Sequence, residues 1–133
     1  RSPITCLKVL RVLGLFDANL EPYLHITIPS VVRLAEQPDA VMEVRVGSVN
    51  WIAVMCRKLN FAEFASRLIH PLARILDSGP EPLRRPVLNA LYALMHALGR
   101  AFLVFAPVLD KVLVRRKLAD PKYQGLLLQV RNG

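Results

Sequence analysis

Only two cysteines, Cys6 and Cys56, occur in 133 residues. Both fall in helical patterns and nothing frames them as a disulfide scaffold, so they read as buried thiols of a reducing compartment, cytosol or nucleus. Glycine is sparse as well: Gly14, Gly47, Gly79, Gly99, Gly125 and Gly133 lie scattered and build no phosphate-cradling loop. His25, His70 and His96 stand at no metal-ligand spacing with cysteine or carboxylate. A nucleophile elbow is missing, and so are the catalytic-loop and metal-binding phrases of a protein kinase. Catalysis needs a convergent set of groups, and none can be assembled here; no catalytic, cofactor or metal-binding residue is expected. The longest run without a polar residue, 101–109, is interrupted by Pro107 and falls well short of the ~20 residues of a membrane-spanning helix. Lys8 and Arg11 break up the first apolar stretch, so the N-terminus does not read as a signal peptide. Acidic residues are few, ten against 18 lysines and arginines, for a net charge of +8. Such a balance permits attraction to anionic partners without requiring it.

What the chain has in quantity is aliphatic surface. Its 53% hydrophobic content excludes disorder and supports a real core. The mean hydropathy of +0.35 is high for a free-standing soluble domain, and no initiator Met begins the sequence. Both features point to an excerpt from a longer array whose neighbours cover apolar ends.

Apolar residues recur at three- and four-residue steps, the period of amphipathic helices. The pattern predicts helices over 3–16 (capped by Ser2), 21–36, 42–59, 61–76, 83–98 and 101–118, with a last one starting at Lys122. Between them lie turn signals: 17–19, Gln37-Pro38-Asp39, Asn60 as a left-handed stop, Asp77-Ser78-Gly79-Pro80, Gly99, and Ala119-Asp120-Pro121. Trp51, inside the 42–59 helix, reads as core filler.

A larger echo overlies this pattern. Three phrases, YLHITIPSVVRLAEQPD, FASRLIHPLARILDSGPE and FLVFAPVLDKVLVRRKLADP, share an aromatic, apolar residues, a proline and then charge. Their prolines, Pro29, Pro71 and Pro107, are 42 and 36 positions apart. A period near 40 built from helix pairs is the signature of a HEAT or armadillo α-solenoid, so the expected fold class is all-α, a superhelix of antiparallel helix pairs. The expected units are the second helix of a preceding repeat (1–19) and repeats at 20–60, 61–99 and 100–133. The three prolines, each inside a predicted helix, are expected to impose one shared bend.

Two groups of charged residues stand out. An acid in the turn followed by arginine early in the next helix recurs as Asp39 with Arg45, and as Glu81 with Arg84 and Arg85; such pairs can form a ladder between stacked repeats. The second group, Lys111, Arg115, Arg116 and Lys117, closes a helix and offers a candidate docking surface, although cations there also complement the helix dipole. No aromatics interleave with it, and no direct nucleic-acid contact is expected.

The polar residues within these phrases carry a resemblance. ANLEPYLHITIPSVVRL, NFAEFASRLIHPLARILD and LGRAFLVFAPVLDKVLVRRKL followed by Tyr123 closely resemble, in order, the HEAT-repeat region of the target of rapamycin (TOR) kinases. Phe64 departs from the usual Tyr, and Pro82 looks like an extra turn residue. The resemblance implies a non-catalytic scaffold segment of a very large serine/threonine kinase of the phosphatidylinositol-kinase-related group, governing growth in response to nutrients. ATP and Mg would belong to a kinase domain elsewhere in that protein. Partners implied in the same way are neighbouring HEAT repeats, subunits of the raptor and rictor kinds, and a second TOR protomer. The implied location is cytoplasmic, with the lysosomal or vacuolar membrane surface or the nucleus as further sites for the whole protein. Two rival readings are a HEAT adaptor of the transport-receptor or phosphatase-scaffold type, and a basic nucleic-acid-binding solenoid.

Overall fold

Prolines and glycines divide the chain into helices. The computed structural model describes residues 3–15 and 17–133, and among them the fold is all-α, with no strand. The helices are α1 (Pro3–Leu15), α2 (Leu24–Glu36), α3 (Met42–Met55), α4 (Ala65–Ser78), α5 (Arg84–Leu98), α6 (Ala106–Arg115) and α7 (Pro121–Asn132). Ser2, the expected cap of the first helix, and Phe16, its expected end, lie outside the described residues.

Two rows of helices result. In one row α2 packs on α4 and α4 on α6; in the other α1 packs on α3, α3 on α5 and α5 on α7. Across the rows α2 meets α3, and α4 meets α5. The seam between α3 and α5 is the most extensive, and both sequences explain why. α3 buries Val44, Val49, Trp51, Ile52 and Met55 around most of its circumference, and α5 buries every residue from Ala90 to Met95. Such helices are stable only between neighbours. The stretch Glu81–Val104 is long and apolar enough to cross a bilayer by length and composition, with half of its most apolar 18 residues buried. Here α5, its main part, packs against α3, α4 and α7. By contrast α4 is strongly two-faced: Leu68, Ile69, Leu72, Ile75 and Leu76 are buried, while Ser66, Arg67, His70 and Arg74 face outward. Trp51 is core as expected, stacked on Phe61 with ring centroids 6.1 Å apart.

The prolines do not share one structural position. Pro29 and Pro71 lie inside α2 and α4, where they cannot donate to the carbonyls of His25 and Arg67 four residues earlier. Pro107 instead sits in the first turn of α6, where a missing N–H costs little. The predicted helix over 101–118 is therefore split: Gly99–Val104 winds as a 3-10 segment and α6 begins only at Ala106. Similar 3-10 segments, Asp17–Tyr23 and Ala62–Phe64, precede α2 and α4, so those helices also start later than their apolar patterns suggested.

Helix ends follow backbone chemistry. α3 stops at Met55, earlier than expected, and Asn60 is not a left-handed stop. Its side-chain Oδ1 accepts from the Ala62 N–H at 3.0 Å, so it opens the next segment rather than closing the last. The left-handed residue is Lys117, at φ 55° beyond α6. There the Leu118 N–H donates to the Leu113 carbonyl at 2.9 Å and the Lys117 N–H to the Val114 carbonyl at 3.1 Å, a Schellman closure. Gly99 ends α5 as predicted, at φ 57° and ψ −133°, a region that a side chain makes costly.

Two substitutions test this fold by denaturant melting. Leu72→Ala, at a position 1% exposed, is expected to destabilise the chain by ~2–5 kcal/mol. Gly99→Ala meets no neighbouring atom within 4 Å, yet is expected to cost ~1–3 kcal/mol through backbone strain alone. A near-zero change at either position would mean that its burial, or its backbone conformation, is misassigned.

Candidate interaction surface

The row α2, α4, α6 carries a ladder of ion pairs along one edge. The acid ending each helix pairs with an arginine of the next helix in the row. Arg74 of α4 donates to Glu36 of α2 through Nε at 2.9 Å and Nη2 at 3.0 Å. Arg115 of α6 donates to Asp77 of α4 through Nε and Nη2, both at 3.0 Å, and the Arg116 Nε adds a further bond to Asp77 at 3.0 Å. Partners lie 38 or 39 residues apart, and the same offset joins the Asn60 N–H to Glu21 at 3.2 Å. Hydrogen bonding from Arg115 first, then from Arg116, holds the Asp77 carboxyl below its ordinary 3.8. These arginines are about half exposed, so the fork–fork geometry sets register more than it adds stability.

The ladder uses other residues than those predicted. Asp39 is exposed in the turn between α2 and α3. Arg45 is buried, and its Nε donates at 2.9 Å to the Ala35 carbonyl in the last turn of α2. The physical reason is direct: the last carbonyls of a helix lack intrahelical donors, and a cation there also complements the dipole. Glu81 and Arg84 are exposed near the start of α5. Arg85 donates to the Tyr92 hydroxyl at 3.2 Å, and that hydroxyl donates to Asp120 in the turn before α7. Lys122 lies 4.8 Å from the centre of the Tyr92 ring. The acid engaged across α5 and α7 is thus Asp120, not Glu81. The ladder itself was missed, although its spacing was legible: the motifs ending in Glu36 and Asp77 recur 41 positions apart, as do Arg74 and Arg115.

Of the predicted docking group, Arg115 and Arg116 are engaged by Asp77, whereas Lys111 and Lys117 are exposed. A groove of about 800 Å³ lies elsewhere, between α2 and α4. Ile28, Pro29, Val32 and Pro71 give it an apolar floor, and Arg33, Arg67 and Arg74 stand on its walls. His70 lines it too, with its ring edge-on to Phe105 at 5.8 Å. Among the described residues no group of His, Cys, Asp and Glu is placed to hold a metal ion. Cys6 and Cys56 are free, and burial pushes the Cys56 thiol up to about 11.

No family model matches the chain. Its sequence does align with curated relatives. Serine/threonine-protein kinase tor1 of Schizosaccharomyces pombe is 33% identical over 126 residues, 95% of this chain and 5% of that one. Serine/threonine-protein kinase mTor of Drosophila melanogaster is 34% identical over 125 residues, 94% of this chain and 5% of that one. Serine/threonine-protein kinase TOR2 of Saccharomyces cerevisiae is 32% identical over 129 residues, 97% of this chain and 5% of that one. Fold and alignments together define the class: an all-α segment matching a small part of large serine/threonine protein kinases. The family is that of target of rapamycin, and the chain belongs to it as a region spanning about 5% of its relatives' length.

The polar ties predict opposite responses at the two ends of the pH scale. Asp77 is depressed, so its contribution is present above 3.8 and is lost as acid protonates it below that value. Burial first, then Asp120, pushes the Tyr92 phenol up to about 12 from 10.0; its contribution is present below 10.0 and is lost as pH rises through about 12. Thermal melts across pH are expected to show a shallower acid limb for Asp77→Asn and a shallower alkaline limb for Tyr92→Phe. Limbs parallel to those of the parent chain would remove these groups from the account.

Proposed function

We propose that the chain is a HEAT-type α-solenoid segment of a TOR-type serine/threonine kinase, serving assembly and protein docking while catalysis resides elsewhere in the parent protein. The observation that carries this reading is the ladder. Ties that each span 38 or 39 residues, between successive helices of one row, are what stacked helix pairs produce. The two-row packing supports it, with each row joined side by side and α2–α3 and α4–α5 as pairs. On this reading the repeats are 20–60, 61–99 and 100–133, after the second helix of an earlier one. α1 supports the same picture, since Ile4, Val9 and Val12 are exposed on it where a preceding repeat would pack.

By family likeness, docking partners of the parent would include raptor- and rictor-type subunits and a second protomer. ATP and Mg would be bound by its kinase domain, and its setting would be cytoplasmic.

Charge reversal in the parent kinase tests the reading. Asp77→Arg and Arg115→Asp are each expected to reduce co-purification of assembled subunits, and the double exchange is expected to restore it. Phosphorylation of a free peptide should be unchanged in all three variants. Loss of peptide phosphorylation with assembly intact would overturn the division of labour, and so would a reading frame with no kinase domain.

A further inference from the structure

We propose that the groove between α2 and α4 is a docking site for an acidic, leucine-bearing peptide segment of a partner protein. This rests on the docking role and specifies its chemistry. Three features converge on that occupant. First, the floor is apolar: Pro29 is exposed and Val32 half-buried in it, with Ile28 and Pro71 buried beneath them. Second, the wall charge is not balanced from within. Glu36 is the one acid in the lining, and it is already engaged by Arg74 through both carboxylate oxygens. Arg33 and Arg67 remain exposed on opposite walls, with no ion pair among the described residues. Third, the lining also holds exposed polar side chains, Gln37 at the end of α2 and Ser66 from α4, that can hydrogen-bond to a peptide.

An apolar floor between two unpaired guanidinium groups fits a segment that places an aliphatic side chain downward and carboxylates to either side. Each carboxylate can accept two parallel N–H bonds from an arginine, a recognition that lysine cannot reproduce. Nucleic acid fits less well. No Phe, Tyr or Trp lines the groove to offer a base a broad stacking face.

The test uses the 133-residue chain and fluorescence anisotropy. The probes are a labelled peptide of leucine and glutamate, a serine and glutamate peptide of equal charge, a leucine and lysine peptide, and single-stranded polyuridine. The leucine–glutamate peptide is expected to bind at least ~10-fold tighter than each of the others. Arg33→Glu with Arg67→Glu should weaken it by ~10-fold or more, while Lys111→Glu with Lys117→Glu, the same charge change outside the groove, should shift it less than ~2-fold. All four residues are exposed, so unchanged thermal melts check that each variant keeps its fold. Several results would each overturn the proposal: no binding of the leucine–glutamate peptide, equal loss from both pairs of substitutions, equal binding of the serine peptide, or tighter binding of polyuridine. Because the ladder exchange described above does not alter Arg33 or Arg67, failure here with assembly still ladder-dependent would reject this site alone and leave the scaffold role standing.

Discussion

Everything in this chain depends on helices that cannot be buried alone. α3 and α5 are apolar around so much of their surface that neither could face water on two sides, and each satisfies the other across a common seam. Burial of a leucine- or isoleucine-sized side chain contributes ~1.5–3 kcal/mol, and α5 alone buries eight residues from Val87 to Met95. The outer row then has an easier task. α2, α4 and α6 need one apolar face each, which leaves their other faces free for charge. The division between a doubly covered row and a singly covered one is why the polar surface features lie on α2, α4 and α6.

Polar chemistry sets the register that oil alone leaves loose. Hydrophobic attraction is non-directional, so apolar burial alone does not impose one geometry on a helix pair. The forked bonds of Arg74 to Glu36 and Arg115 to Asp77 have one geometry only, and they fix how far each helix stands ahead of the last. Arg45 does the equivalent within a pair, tying α3 to the last turn of α2. Because these bonds lie near helix ends, they steady the stack without intruding on its core.

Much of this order was legible in the sequence. The apolar period placed the helices of the described residues, and the turn prolines and Gly99 placed most breaks. What escaped was of two kinds. Helix starts came late because 3-10 segments share the helical apolar period closely enough to be read as helix, as at Gly99–Val104. Pro107 looked equivalent to Pro71 by phrase, yet it lies eight positions before its ladder arginine and Pro71 only three before its own. The candidate pairs failed for another reason. Nearness in sequence suggested Asp39 for Arg45, but helix geometry turned that arginine toward a carbonyl ten residues back. The groove could not be foreseen from any one helix, since its two walls come from α2 and α4.

Trp51 gives the molecule a built-in optical gauge. It is the chain's one indole, 5% exposed and stacked on Phe61, which stands in the link between α3 and α4. Its Nε1 is shut off from solvent, so in the native fold its emission should be that of a ring in an apolar setting. Water reaching this junction would red-shift the signal before the rest of the stack came apart, so intrinsic fluorescence distinguishes loosening between neighbouring hairpins from complete unfolding.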